Sequence, residues 1–398
     1  MFFRYTKTLI VFLLLIIALL NSCENEINLP EQDNTPLNIS REDVSVSLSV
    51  NFTDENLSAT SSLSFGNGRD AALIIIESDE AWTATTDSEW LALTAGSGDA
   101  GSTGILAGTS INESVPREGS ISITSGSREH VITVEQMGAP EITITVNEVS
   151  FRMMLVESDT FMLGDESLYG STPAHEVSLS AYYICETEVT NELWYAVMGG
   201  LPYDNIDEYA GHAEYSMMQH PLTAATWDEI NDNFLDELGT VTGFGFRLPT
   251  EAEWEFAAMG GKYNNDYDYA GSDELEDAGW YDRNSDGEKH EVKQLMPNEL
   301  GLYDMSGNVS EWCGDWYKYY YSTDNSHNPT GPSTGDEKVV RGGNYKSTVM
   351  FNVGECGVKY RSYLVPSCYN GCWGDTGDPD EPVCFRCRPV GFRFVMPL

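Results

Sequence analysis

Residues 119–136, GSISITSGSREHVITVEQ, alternate apolar and polar positions on both sides of a Ser-Gly-Ser-Arg turn. A period of two puts Ile121 and Ile123 on one face of an extended strand. In the next strand it puts Ile132 and Val134 on one face, and Val131, Thr133 and Glu135 on the other. A one-residue slip would turn every apolar side chain to water, so this pattern commits the segment to one hairpin register. The same Ser-, Thr- and Gly-rich alternation runs through residues 46–138, where ALIIIES and WTATTDSEWLAL supply further strands and no helical period appears. We expect a small all-β sandwich here.

From about residue 143 the pattern changes. Aromatics rise and glycine is spread along the whole segment. Three helix starts are legible. Thr190 precedes NELWYAVM, which closes at Gly199-Gly200. Thr226 and Glu229 form a capping box before WDEINDNFLDEL, whose Trp227, Ile230, Phe234 and Leu238 share one face. Thr250 and Glu253 form a second box before EAEWEFAAM, closed by Gly260-Gly261. Short extended pieces and long turns fill the rest, so an irregular α+β domain is expected. The 398 residues accommodate two such domains, each large enough for its own core.

The N-terminus is of another kind. Behind Arg4 and Lys7, residues 9–20 read LIVFLLLIIALL. Twelve apolar residues are too few to span a bilayer as a stable helix but suit a signal h-region. The following LLNSCENE resembles a bacterial lipobox, with Leu20, Ser22 and Cys23 in place and Asn21 departing from the pattern. The resemblance implies a signal peptide over 1–22, acylation of Cys23 and an acidic tether over 23–59. CENE also resembles the export signals of Bacteroidetes surface lipoproteins. The implied location is the cell envelope, held at the outer membrane by lipid alone, facing the surface or the periplasm. An ordinary signal peptide is the alternative. A net charge of −42 repels phosphate backbones, which excludes nucleic acid as a partner.

Within residues 60–138, the order SLSF, AWTATTDSEWLAL, REGSISITSG and HVITVEQ resembles a BACON domain, a bacterial module found beside carbohydrate-handling domains. Trp82 and Trp90 could stack on sugar rings. The stronger reading buries both in a sandwich core that needs large side chains.

Over residues 143–398, seven pieces occur in a fixed order: SFRMMLVESDTFMLGD, TPAHEVSLSAYYICETEVTN, FRLPTEAEWEFAAMGG, PNELGLYDMSGNVSEWCGDWY, NPTGP, VVRGGNY and GFRFV. Together they resemble the formylglycine-generating enzyme (sulfatase-modifying factor) superfamily. The resemblance implies an irregular, C-type-lectin-like α+β fold. It also implies calcium held by Asp304, by the carbonyls of Gly307 and Val309, and by Glu311. A hydrogen-bond network around Glu311 is the alternative. Ser310 departs from the pattern, which has Trp at that position. Asn284 and Asp286, in DRNSDG, lie where the family has another calcium site. Lys293 at the twelfth position rules out an EF-hand, and a solvated loop is the stronger reading there.

Members of this superfamily oxidise a substrate cysteine with copper(I) held by two thiolates, the soft ligands that ion requires. Counted from Gly342-Gly343, those positions are Ser347 and Asn352. Neither supplies a thiolate, so the resemblance implies a domain without the family's copper site. Five cysteines lie over 356–387, in what reads as an insertion; Cys368, Cys372, Cys384 and Cys387 have spacing suited to two disulfides or to zinc, with disulfides preferred in an exported chain. Tyr369 and Trp373 in that insertion are candidate glycan contacts. No His arrangement matches the iron-dependent branch. Three functions follow as expectations: a non-catalytic module binding glycan or an envelope protein, a divergent enzyme acting on a protein or sulfur substrate, and a structural part of a gliding or secretion machine.

Overall fold

The computed structural model describes residues 44–53, 58, 60–68, 70–168, 170–202, 218–223, 225–349, 353–366 and 389–398. The chain divides into two compact units, Met1–Ala139 and Pro140–Leu398.

The described part of the first unit is a sandwich of two sheets. One runs β1 (Val44–Asn51), β3 (Ala71–Ser78), β7 (Gly101–Thr109), β5 (Leu91–Leu93). The other runs β2 (Thr60–Phe65), β9 (Arg128–Gln136), β8 (Arg117–Ser125), β4 (Trp82–Thr86), β6 (Ser97–Gly98). The 119–136 alternation does what a half-buried hairpin requires: Ile121, Ile123, Ile132 and Val134 are all fully buried. They meet Ile74, Ile76 and Ile105 from the facing sheet in one core. Two expectations change. Residues 44–51 are not tether: β1 pairs in parallel with β3 through Asn51↔Glu77, and Val50 is in the core. Trp82 cannot offer its ring to a sugar, because it is 1% exposed in the same core. Trp90 packs against that core, and the Arg117 guanidinium covers its ring at 4.6 Å.

The described part of the second unit is built from three small sheets and short helices. β10 (Glu141–Val146), β11 (Val149–Val156), β14 (Tyr182–Cys185) and β19 (Val395–Pro397) form one sheet, and β12 (Asp159–Leu163) pairs with β13 (His175–Leu179). The third has the order β17 (Ser362–Leu364), β16 (Lys338–Arg341), β15 (Ser310–Trp316), β18 (Val390–Gly391). Helix α1 (Asn191–Met198) is capped by Thr190 and ends at left-handed Gly199. Both capping boxes form, at Thr226/Glu229 and Thr250/Glu253. The helix after Thr226 is less regular than its spacing suggests. It runs through α2 (Trp227–Glu229), a π-helical stretch over Ile230–Phe234, and α3 (Leu235–Thr242). That wide turn still buries Ile230, Phe234 and Leu238 fully. Helix α4 (Glu251–Ala258) is buried on every side, which makes its three glutamates, Glu251, Glu253 and Glu255, the charges that need partners.

Candidate functional site

The Gly-Gly segment leaves β16 directly after Arg341. Gly342 and Gly343 have φ of +89° and +66°, and a Cβ on Gly343 would lie 2.7 Å from Cys356 Sγ. Only glycine serves at a left-handed position packed this closely. Arg341 is 1% exposed and turned inward. Its guanidinium donates to Glu251 Oε1 and Glu255 Oε2, each at 2.7 Å, and to the Val358 carbonyl at 2.6 Å. Arg361 grips the same Glu251 with two hydrogen bonds of 2.6 and 2.7 Å. Burial alone would raise the Glu251 carboxyl; Arg361 and Arg341 outweigh it and hold the group below its usual range. The basic residue that heads RGGNY is therefore an anchor of the scaffold.

Beyond the glycines the chain turns over Ser347, which is 3% exposed. Its Oγ donates to Glu355 Oε2 at 2.6 Å and accepts the Asn344 N–H at 3.0 Å. Cys356 lies beside this hydroxyl and is fully buried. Cys356 is a free cysteine. It packs against Tyr269, Leu275 and Tyr281. Burial, with Glu355 beside it, pushes its thiol up to about 12. At neutral pH the pair is a hydroxyl and a protonated thiol, a poor donor set for copper(I). Asn352 lies outside the described residues, as do Cys23, Cys368, Cys372, Cys384, Cys387, Tyr369 and Trp373.

A cavity of about 460 Å³ opens beside this segment. Its floor is one face of the β17-β16-β15-β18 sheet, where Ser362 faces Val340 across one ladder and Ser310 faces Val390 across another. Lys346, Glu355 and Tyr360 stand around it. Ser310 Oγ donates to the Gly343 carbonyl at 3.0 Å and accepts Asn344 Nδ2 at 3.1 Å.

The expected calcium donors are assembled differently. Glu311 is fully buried, and both its oxygens accept from Arg393 at 2.7 Å, with Trp254 Nε1 on Oε2 at 2.8 Å. Asp304 accepts the Lys293 N–H at 2.8 Å through Oδ2, while Oδ1 is buried without a partner. Burial pushes the Asp304 carboxyl up to about 6. The Val309 N–H donates to Glu188 Oε1 at 2.9 Å. A Cβ on Gly307 would meet the Trp280 carbonyl at 2.3 Å, so packing accounts for that glycine. Among the described residues no three acidic, His or Cys side chains converge on a metal position. Arg393 already neutralises Glu311, which serves in a hydrogen-bond network, while one Asp304 oxygen is left unpaired. Asn284 is committed to its own loop. Asn284 accepts the Tyr281 N–H and donates to the Gly279 carbonyl, and Asp286 is exposed in a turn.

Residues 140–374 match the "Sulfatase-modifying factor enzyme 1-like domain" family. The chain belongs to this family. Ahead of that domain, residues 80–137 match BACON, described as "Putative binding domain, N-terminal". Chaperone protein LppX of Paenibacillus barcinonensis is 34% identical over 242 residues, 50% of this chain and 81% of that protein. The formylglycine-generating enzyme of Streptomyces coelicolor is 30% identical over 232 residues, 44% of this chain and 71% of that protein. Serine/threonine-protein kinase pkn1 of Chlamydia caviae is 32% identical over 215 residues, 49% of this chain but only 33% of that protein. Among solved structures, Treponema denticola variable protein 1 aligns with a TM-score of 0.53 at 30% identity, covering 65% of this chain and all of that one.

Within the sulfatase-modifying factor enzyme 1-like domain, sequence reasoning located the Gly-Gly segment but missed Cys356. A count at fixed offset from Gly343 lands on Asn352. The next thiol along the chain is Cys356, in a short helical turn over Gly354–Cys356. The signal available was burial chemistry: a lone Cys in VGECGV, flanked by glycines and valines, suits a packed thiol better than a partner of the polar Cys368–Cys387 segment.

Proposed function

We propose that this chain is a non-catalytic binding module of the cell envelope, anchored through acylated Cys23. The observation that carries the reading is the Ser347–Cys356 pair. Ser347 holds a hydroxyl at the first position where the resemblance puts a copper thiolate, and the thiol beside it, Cys356, is buried and protonated. The ligand we assign to the 460 Å³ cavity is an extended polypeptide segment of a partner protein. The floor is a sheet face with small polar and apolar side chains, and the walls offer one cation, one carboxylate and one phenol. A relative named a chaperone protein, over 81% of its length, supports a polypeptide partner. Ser310 is the specificity device: where the family pattern has Trp, a hydroxyl leaves the floor clear.

The test is selection of peptides from a displayed random library on the purified chain, followed by affinity measurement on the Ser310→Trp variant. Selected peptides are expected to lose at least about tenfold in affinity when the indole fills the floor. Peptides indifferent to Ser310→Trp, or a selection that returns none, would overturn the assignment of the cavity.

A further inference from the structure

A second cavity, of about 230 Å³, shares no lining residue with the first. Three features give it a chemical character. Its mouth carries Tyr320, which is 61% exposed and whose ring stands edge-on to Tyr319. Its wall holds Asp315, a carboxyl 6% exposed that spends only one oxygen on the fold, where Oδ2 accepts the Glu251 N–H at 2.9 Å. Oδ1 has no hydrogen-bond partner among the described residues. The third feature is Gly331, in the NPTGP motif, which passes so close that a Cβ would lie 2.9 Å from Asp315 Oδ1. Its φ of +68° also favours glycine. With no side chain at Gly331, the motif runs close past this carboxylate without covering it.

The charges around this space select the ligand. Arg361 lines the cavity, lies 3.9 Å over the Tyr321 ring, and is paired with Glu251. Arg361 and Lys318 disfavour a cation, while Asp315, Glu251 and Asp324 disfavour an anion. The volume is below the roughly 300–1,000 Å³ of drug-sized sites. An exposed aromatic face beside paired hydrogen-bonding groups suits a neutral ligand with an apolar ring face and several hydroxyls. We propose that this cavity is a binding subsite for one neutral sugar unit of a glycan. Tyr320 stacks on the ring face, Asp315 Oδ1 takes a ring hydroxyl, and Thr330 lies within the same lining. Burial, and Glu251 next to it, push the Asp315 carboxyl up to about 7, so near neutral pH it can accept or donate a hydrogen bond.

The experiment is saturation-transfer NMR on the whole purified chain. The probes are the methyl glycosides of glucose, galactose, mannose and N-acetylglucosamine, with glucosamine and glucuronate as charged comparators. At least one neutral glycoside is expected to bind with a Kd of about 1–10 mM, the range open to a ligand this small. Tyr320→Ala, at an exposed position that leaves the fold intact, should weaken it about tenfold or more. Asp315→Asn, which keeps the acceptor for Glu251, should weaken it several-fold. No neutral glycoside bound at about 50 mM, a charged sugar preferred, or binding unchanged in Tyr320→Ala would each overturn the proposal.

Discussion

At the scale of single residues, the buried charges decide the character of this domain. Glu311 and Arg393 are both fully buried and hydrogen-bonded at 2.7 Å. Removing one partner of such a pair leaves an uncompensated charge in a dry interior. Arg393→Ala is therefore expected to cost about 3–5 kcal/mol in urea unfolding; a loss under about 1 kcal/mol would show that Glu311 is held by something else. Asp315 makes a prediction about pH. Its folded-state value near 7 stands above an ordinary value of 3.8, so the folded chain binds the extra proton between the two. Its contribution is full at low pH and is lost as pH rises from about 4 to about 7, with a slope of at most about 1.4 kcal/mol per unit. Asp315→Asn should flatten that fall when unfolding midpoints at pH 4.5 and 7.5 are compared; an unchanged difference would remove Asp315 as its source. Little of this was legible beforehand. The sequence shows Glu311 and Arg393 as parts of separate motifs 82 residues apart. Only the fold reveals that each satisfies the other.

At the scale of elements, what was legible follows local chemistry. The two Thr-x-x-Glu boxes are reciprocal hydrogen bonds over four residues, so they can be read without tertiary context, and both form. The hairpin over 119–136 is equally local. The missed elements depend on distant partners. β1 is a short Ser/Val alternation that becomes a strand because β3 offers it an edge. The π-helical stretch at Ile230–Phe234 follows from packing: Phe234 stacks on Trp194 with ring centroids 4.9 Å apart and meets Phe392 at 5.3 Å. Thr250→Ala should cost about 0.5–2 kcal/mol, because it frees the Glu253 N–H at the start of a helix buried on every side. A loss near zero would mean that Arg247, bidentate on Glu253 at 2.7 Å, holds that turn by itself.

At the scale of the whole molecule, a BACON domain precedes a sulfatase-modifying factor enzyme 1-like domain whose ion-pair scaffold is intact. Arg341 anchors the turn at Gly342 and Gly343, and the side chains that follow are Ser347 and a thiol pushed up to about 12. Retained glycines and altered donors support a scaffold now used for binding. The most direct measurement of that claim is mass spectrometry of a cysteine-containing sulfatase peptide incubated with the purified chain, copper(I) and oxygen. The account predicts that the peptide keeps its cysteine thiol. Formation of an aldehyde, in an amount exceeding the protein present and lost in Cys356→Ser, would contradict it.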